Sequence, residues 1–151
     1  MTFAIGQTLT AAGLDSITTA SVQFFSISSN TTNSTTYVAL IPAPGGTFVA
    51  PGSGKVWIHI AAEVGQNASG TVSWMSFEVR EGAVLGSGTI VTAASDARAI
   101  AAGGPSECRP GRTCLVTGLT PGSTYNVRAM CRGNIANNAR FSGRRVCVMR
   151  A

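Results

Sequence analysis

Cys114-Leu-Val-Thr-Gly-Leu-Thr-Pro-Gly-Ser-Thr-Tyr-Asn-Val-Arg-Ala129 reads as strand, turn, strand. Pro121 sets φ near the value a tight turn needs, and Gly122 accepts the positive φ that most residues resist. Beyond the turn, Tyr125, Val127, Ala129 and Cys131 alternate with Asn126, Arg128, Met130 and Arg132. That period of two belongs to a strand with one buried face. Leu119 is placed to plug the core beneath the turn. The segment predicts an all-β domain.

Working outward, the same signals recur. Val22 to Ile27 reads as a strand, and the Ser, Thr and Asn run from Ser28 to Thr36 as a solvent loop. Tyr37 to Ile41 is apolar on both faces and predicts a central strand, ended by Pro42 to Gly46. Thr47 to Ala50 is a short edge before a Pro-Gly turn. In Lys55 to Ala62 the core face is Val56, Ile58, Ile60 and Ala62, with Trp57 and His59 opposite. In Thr71 to Arg80 the apolar face is Met75, Phe77 and Val79, opposite Trp74, Ser76 and Glu78. Thr89 to Thr92 is another strand. Ala93 to Ala102 is compatible with helix, but strand or irregular chain suits its surroundings better. A last pair, Asn138 to Phe141 and Arg144 to Arg150, closes the chain. About nine or ten short strands imply a sandwich, jelly roll or small barrel. The domain spans 21–151, preceded over 1–20 by an arm or docking segment with little strand pattern.

Composition narrows the function classes. Charged residues are 11% of the 151, against roughly 25% in ordinary globular proteins, so Ser, Thr, Asn and Gly wet the surface. Through Glu107 there are three basic and six acidic residues; from Cys108 onward there are eight arginines and no acid. This is either a basic patch for an acidic partner or a set of arginines scattered over several strand faces. One lysine and no basic tract with interleaved aromatics argue against nucleic-acid binding. Met1 to Gln7 lacks the basic and apolar runs of a secretion signal, and no stretch has the 18 or so apolar residues of a membrane span. These readings predict assembly in a cytoplasm, with no nucleic acid and no membrane as partner.

No catalytic constellation, metal site or cofactor motif is legible. His59 has no Cys or carboxylate at ligand or triad spacing. No phosphate loop, dinucleotide fingerprint or nucleophile elbow occurs. Cys108 and Cys114 admit a disulfide across the Arg-Pro-Gly-Arg-Thr loop, and free thiols suit a cytoplasmic origin equally. Cys131 faces the core and Cys147 faces outward, which disfavours a bond between them. Trp57 and Trp74 both point away from the main core, and two such residues suggest a second buried surface, a subunit interface.

Leu119 to Val127 and Thr71-Val-Ser-Trp74 resemble, respectively, the tyrosine-corner segment and the early Trp strand of fibronectin type III domains. A wider series covers more of the chain. Thr47-Phe-Val-Ala-Pro-Gly-Ser-Gly-Lys-Val56, Phe77-Glu-Val-Arg-Glu-Gly82, Gly86-Ser-Gly-Thr-Ile90, Ala94-Ser-Asp-Ala-Arg-Ala99, Leu115 to Val127 and Arg144-Arg-Val146 resemble virion structural proteins of tailed actinobacterial phages. That resemblance implies a C1q/TNF-like jelly roll that forms a homotrimer and acts in capsid decoration, as a fibre or as a minor tail component. It implies an interface at Trp57, His59, Trp74 and Ser76. It also implies contacts to the major capsid protein from Phe3, Ile5, Arg109, Arg112, Arg128 and Arg132, at the virion surface. The alternative is a tail or fibre module that binds host-surface glycan; a fibronectin-like adhesion module is a third reading.

Overall fold

The computed structural model describes residues 21–66, 70, 72–103, 107–134 and 139–151. The expected arm over 1–20, with Phe3 and Ile5, lies outside them. The described chain is all-β: β1 Val22–Ser26, β2 Asn30–Thr32, β3 Gly45–Val49, β4 Val56–Gln66, β5 Val72–Glu81, β6 Ile90–Thr92, β7 Ile100–Gly103, β8 Gly111–Val116, β9 Thr124–Gly133 and β10 Ala139–Arg150. They form two antiparallel sheets. One runs β1-β10-β4-β8, with β2 also on β10; the other runs β3-β9-β5-β6, with β7 also on β5. The pairing is nested: β1 with β10, β3 with β9, β4 with β8, and β5 with β6 and β7.

Alternation along the strands supplies the core. Val56, Ile58, Ile60, Ala62 and Val64 of β4 meet Met75, Phe77 and Val79 of β5 and Val127, Ala129 and Cys131 of β9, all buried. Two flanks close the sandwich. On one, the Phe24 ring lies so close over Gly46 that a methyl group there would collide with it. On the other, Arg112 of β8 donates to the Ala99 carbonyl (3.2 Å) beside β7.

The turn between β8 and β9 keeps its expected form. Gly122 has φ of 78°, Leu119 is buried, and the Thr120 amide donates to the Tyr125 hydroxyl at 2.9 Å. Tyr125 stacks on Phe48 with ring centroids 5.9 Å apart. The Pro51–Gly54 turn docks alongside, the Leu119 amide donating to the Gly54 carbonyl (3.1 Å).

Several expectations need correction. Ala139–Phe141 and Arg144–Arg150 belong to one strand, β10, whose register with β4 slips between Ser142 and Arg145, and Asn138 of the expected pair lies outside the described residues. The bulge changes the phase of the pleat: Ala139 and Phe141 face inward before it, Val146 and Val148 after it. Gly143, at φ 54°, takes the turn in the bulge. Tyr37 to Ile41 is no strand but a crossing segment with a single bridge, Val38 to Cys131. The Ser/Thr/Asn run contains β2. Ala93–Ala102, by contrast, is irregular chain and strand as expected, with a short 3-10 turn at Asp96–Arg98 before β7. All four cysteines are free thiols. Cys114 pairs with Ile58 and Cys108 with Val64. These partners are six residues apart on β4, about 20 Å, because the intervening chain runs extended along β4 instead of closing a loop.

Arg144, wholly buried in the bulge, has no carboxylate partner among the described residues. It donates to the carbonyls of Leu40 (2.9 Å) and Pro42 (3.1 Å), to Ser26 Oγ and to Asn30 Oδ1. Burial lowers its pKa, with the neighbouring Cys131 opposing the shift. The Cys131 thiol is pushed up to about 12 by its own burial, against the pull of Arg144. Replacing Arg144 with Leu strands those acceptors, and urea unfolding should show a loss of about 2–4 kcal/mol. An unchanged midpoint would mean that the acceptors rehydrate freely. Tyr125→Phe, which removes one hydrogen bond, should cost about 1 kcal/mol.

Candidate functional site

The outer faces of the two sheets differ in kind. That of β3-β9-β5-β6 is covered by its own loops and by paired charges. Asn126, buried on β9, accepts from the Gly86 amide (2.9 Å) and donates to the carbonyls of Gly82 (3.1 Å) and Ser87 (3.2 Å), pinning the 82–88 loop. Glu78 of β5 takes Arg128 of β9 at 2.5 Å and Arg80 at 2.9 Å. Burial pushes the Glu78 carboxyl up, yet hydrogen bonds and charge from the two arginines together hold it below the ordinary range. Further along, the Arg132 guanidinium lies 4.0 Å from the Trp74 ring centroid and 5.4 Å from that of Tyr37. It pairs with Asp96, which also accepts from the Tyr37 hydroxyl at 2.9 Å. The Arg132 hydrogen bond lowers the Asp96 pKa. The Tyr37 hydroxyl is raised, by burial first and then by Asp96.

The outer face of β1-β10-β4-β8 has no such cover among the described residues. Register places Met149, Trp57 and Leu115 in one row across β10, β4 and β8. Trp57 is 41% exposed and Leu115 42%. The next row holds Gln23, Cys147, His59 and Thr113. His59 Nδ1 shares a 2.9 Å hydrogen bond with Thr113 Oγ1, so its neighbours are a hydroxyl and a thiol, not a carboxylate. The third row is Phe25, Arg145, Ala61 and Gly111, with Arg145 stacked 4.7 Å from the Phe25 ring centroid. Beyond it a groove of about 310 Å³ opens among Phe25, Ala61, Glu63, Arg109, Gly143 and Arg145.

The four residues expected at one interface are therefore not brought together. Trp57 and His59 face out from one sheet, whereas Trp74 and Ser76 lie on the opposite face of the sandwich. There Trp74 is capped by Arg132, and Ser76 is buried beneath the Ser95 amide that it accepts (3.2 Å). The sequence reading had the direction of both tryptophans but not which sheet each strand joins. Nor do the arginines make one patch. Arg128 and Arg132 are half-buried and paired, Arg112 reaches the Ala99 carbonyl, and Arg109 bonds Glu63 at 3.0 Å. Arg140 pairs with Glu107. Among the described residues, no group of three or more His, Cys, Asp or Glu is placed to hold a metal ion.

A scan against protein-family models finds no match, and a search of curated proteins finds no relative. The geometry of these two faces therefore carries the functional argument.

The Glu78 pairs have a pH signature. A carboxylate whose pKa is depressed on folding stabilises the fold above its unfolded value, near 4.3. That stability is lost as pH falls through the folded value. Wild-type protein should thus be more stable than Glu78→Gln at pH 7, with the gap narrowing below about pH 4. Urea midpoints measured from pH 7 to pH 3 check this; a gap constant with pH would rule it out.

Proposed function

We propose that the chain is a non-enzymatic virion structural protein. In this reading it is a jelly-roll domain that assembles as a homotrimer and decorates the outer shell of a phage capsid against the major capsid protein. The observation that carries the reading is the uncovered row Met149, Trp57 and Leu115 on the β1-β10-β4-β8 sheet. A row of neighbouring apolar side chains on an outer sheet face is a feature that a protein–protein contact would cover. A second copy of the chain, repeated about a closed symmetry axis, is the economical cover. The nested pairing of β1 and β2 with β10, β3 with β9, and β4 with β8 supports the jelly-roll assignment, since a jelly roll is a long antiparallel ribbon folded over itself.

The outer side of the other sheet bears internally paired charges, Glu78 with Arg80 and Arg128 and Asp96 with Arg132, beside exposed Val49 and Ile90. Capsid contact then falls to loops and to the 1–20 segment, not to a basic patch. Single weak contacts at each of many symmetric copies would add up through avidity.

Light scattering on purified protein should give three times the chain mass of 15.4 kDa. Trp57→Lys should return it to a monomer with its fold intact by circular dichroism. A wild-type monomer at micromolar concentration would overturn the trimer. Electron cryo-microscopy of the virion should place many copies on the shell, and only a few copies per particle would favour a tail or fibre position.

A further inference from the structure

We propose that the groove at the bulged end of the β1-β10-β4-β8 sheet binds an acidic saccharide, seating one carboxylate-bearing sugar ring among Arg145, Arg109 and Glu63. The concavity comes from the chain itself. The bulge at Gly143 breaks the pleat of β10, and the Arg109-Pro110 segment passes beside β4, leaving Ala61 and Ala62 between them. Bulges commonly re-aim side chains next to binding sites. At about 310 Å³ the groove stands at the small end of the about 300–1,000 Å³ of ligand pockets, which is the scale of a single ring.

Arg145 is the distinguishing residue. Arg109, Arg112, Arg128, Arg132, Arg140 and Arg144 all donate to acceptors within the protein. Arg145 has no hydrogen-bond acceptor among the described residues, and its guanidinium is held against the Phe25 ring instead. A stacked guanidinium has already lost much of its rotamer freedom and presents a planar fork of donors, the geometry that matches a carboxylate. Two guanidiniums against the single carboxylate of Glu63 leave the groove with one excess positive charge, which favours a monoanion.

Glu63 decides between kinds of acid. One of its oxygens takes Arg109, and the other accepts from no group among the described residues. A bare acidic side chain would meet that oxygen only as repulsion. A sugar acid brings hydroxyl donors to it together with its own carboxylate for Arg145. The Phe25 edge, 49% exposed, offers an apolar surface to ring C–H groups.

The site goes beyond the virion reading and can coexist with it. Ala61 is four residues from Trp57 along β4, about 13 Å, so the apolar row and the groove occupy separate parts of that face.

The experiment is calorimetric titration of trigalacturonic acid into the full chain, with galactotriose as the neutral control and N-acetylglutamate as the control acid. The acidic trisaccharide should bind, more weakly at high salt, and the neutral one at least tenfold more weakly. Arg145→Gln should lower affinity at least tenfold with the thermal midpoint and oligomeric mass unchanged. Arg145→Lys should not restore it, for want of the planar fork. Absence of binding, equal affinity for the neutral sugar, or an unaffected Arg145→Gln would overturn the site. N-acetylglutamate binding as tightly as the sugar acid would overturn the saccharide assignment. Oligomeric mass reports on the Trp57 row alone, so the two readings fail separately.

Discussion

The pleat of β10 changes phase between Phe141 and Val146, and the placement of side chains on its whole sheet depends on that change. Without the extra residue, Arg145, Cys147 and Met149 would point into the core and the valines between them outward, since a slip of one residue exchanges the two faces of a strand. The bulge is held from inside by Arg144. Its donors gather Ser26, Asn30, Leu40 and Pro42, and thereby tie the irregular stretch between β1 and β3 to the central strand of a sheet. A buried guanidinium is costly to desolvate. Here neutral carbonyls and a side-chain amide offset part of that cost, without the registry problem of matching a second buried charge.

The separation of charge along the sequence has its explanation in the topology. Of the acids described, Glu63, Glu78, Asp96 and Glu107 each meet an arginine from the last third: Arg109, Arg128, Arg132 and Arg140. Strands from the last third are inserted between strands made earlier, so opposite charges far apart in sequence become cross-strand or loop-to-strand neighbours. The basic excess at the C-terminal end is thus largely neutralised in the folded molecule. What looks in one dimension like a patch for an acidic partner is in three dimensions mostly internal pairing.

The legible part of the fold was whatever alternation alone dictates. The inward faces of β4, β5 and β9, the turn at Pro121-Gly122, Leu119 beneath it and the outward direction of both tryptophans follow from periodicity and turn chemistry. The illegible parts all require knowing which strands are neighbours. Tyr37 to Ile41 looked like a strand because it is apolar, yet it crosses the sandwich edge with one bridge. The phase slip in β10 looked like two strands because a bulge interrupts alternation just as a turn does. Cys108 and Cys114 looked close because only sequence separation was visible. The groove was invisible for the same reason: Phe25, Glu63, Arg109 and Arg145 come from three strands and a connecting segment.

Strand order also bears on how the chain is made. β10 lies between β1 and β4, and β9 between β3 and β5, so each sheet takes one of its interior strands from later in the chain than the strands on either side of it. Until those two strands emerge from the ribosome, the earlier strands have neither their central partners nor, for Glu78 and Asp96, the arginines of β9. Such non-local pairing makes for slow, cooperative folding. A nascent chain of this topology gains its structure late and all at once, and its low content of charge leaves the waiting segments dependent on Ser, Thr and Asn to stay dissolved.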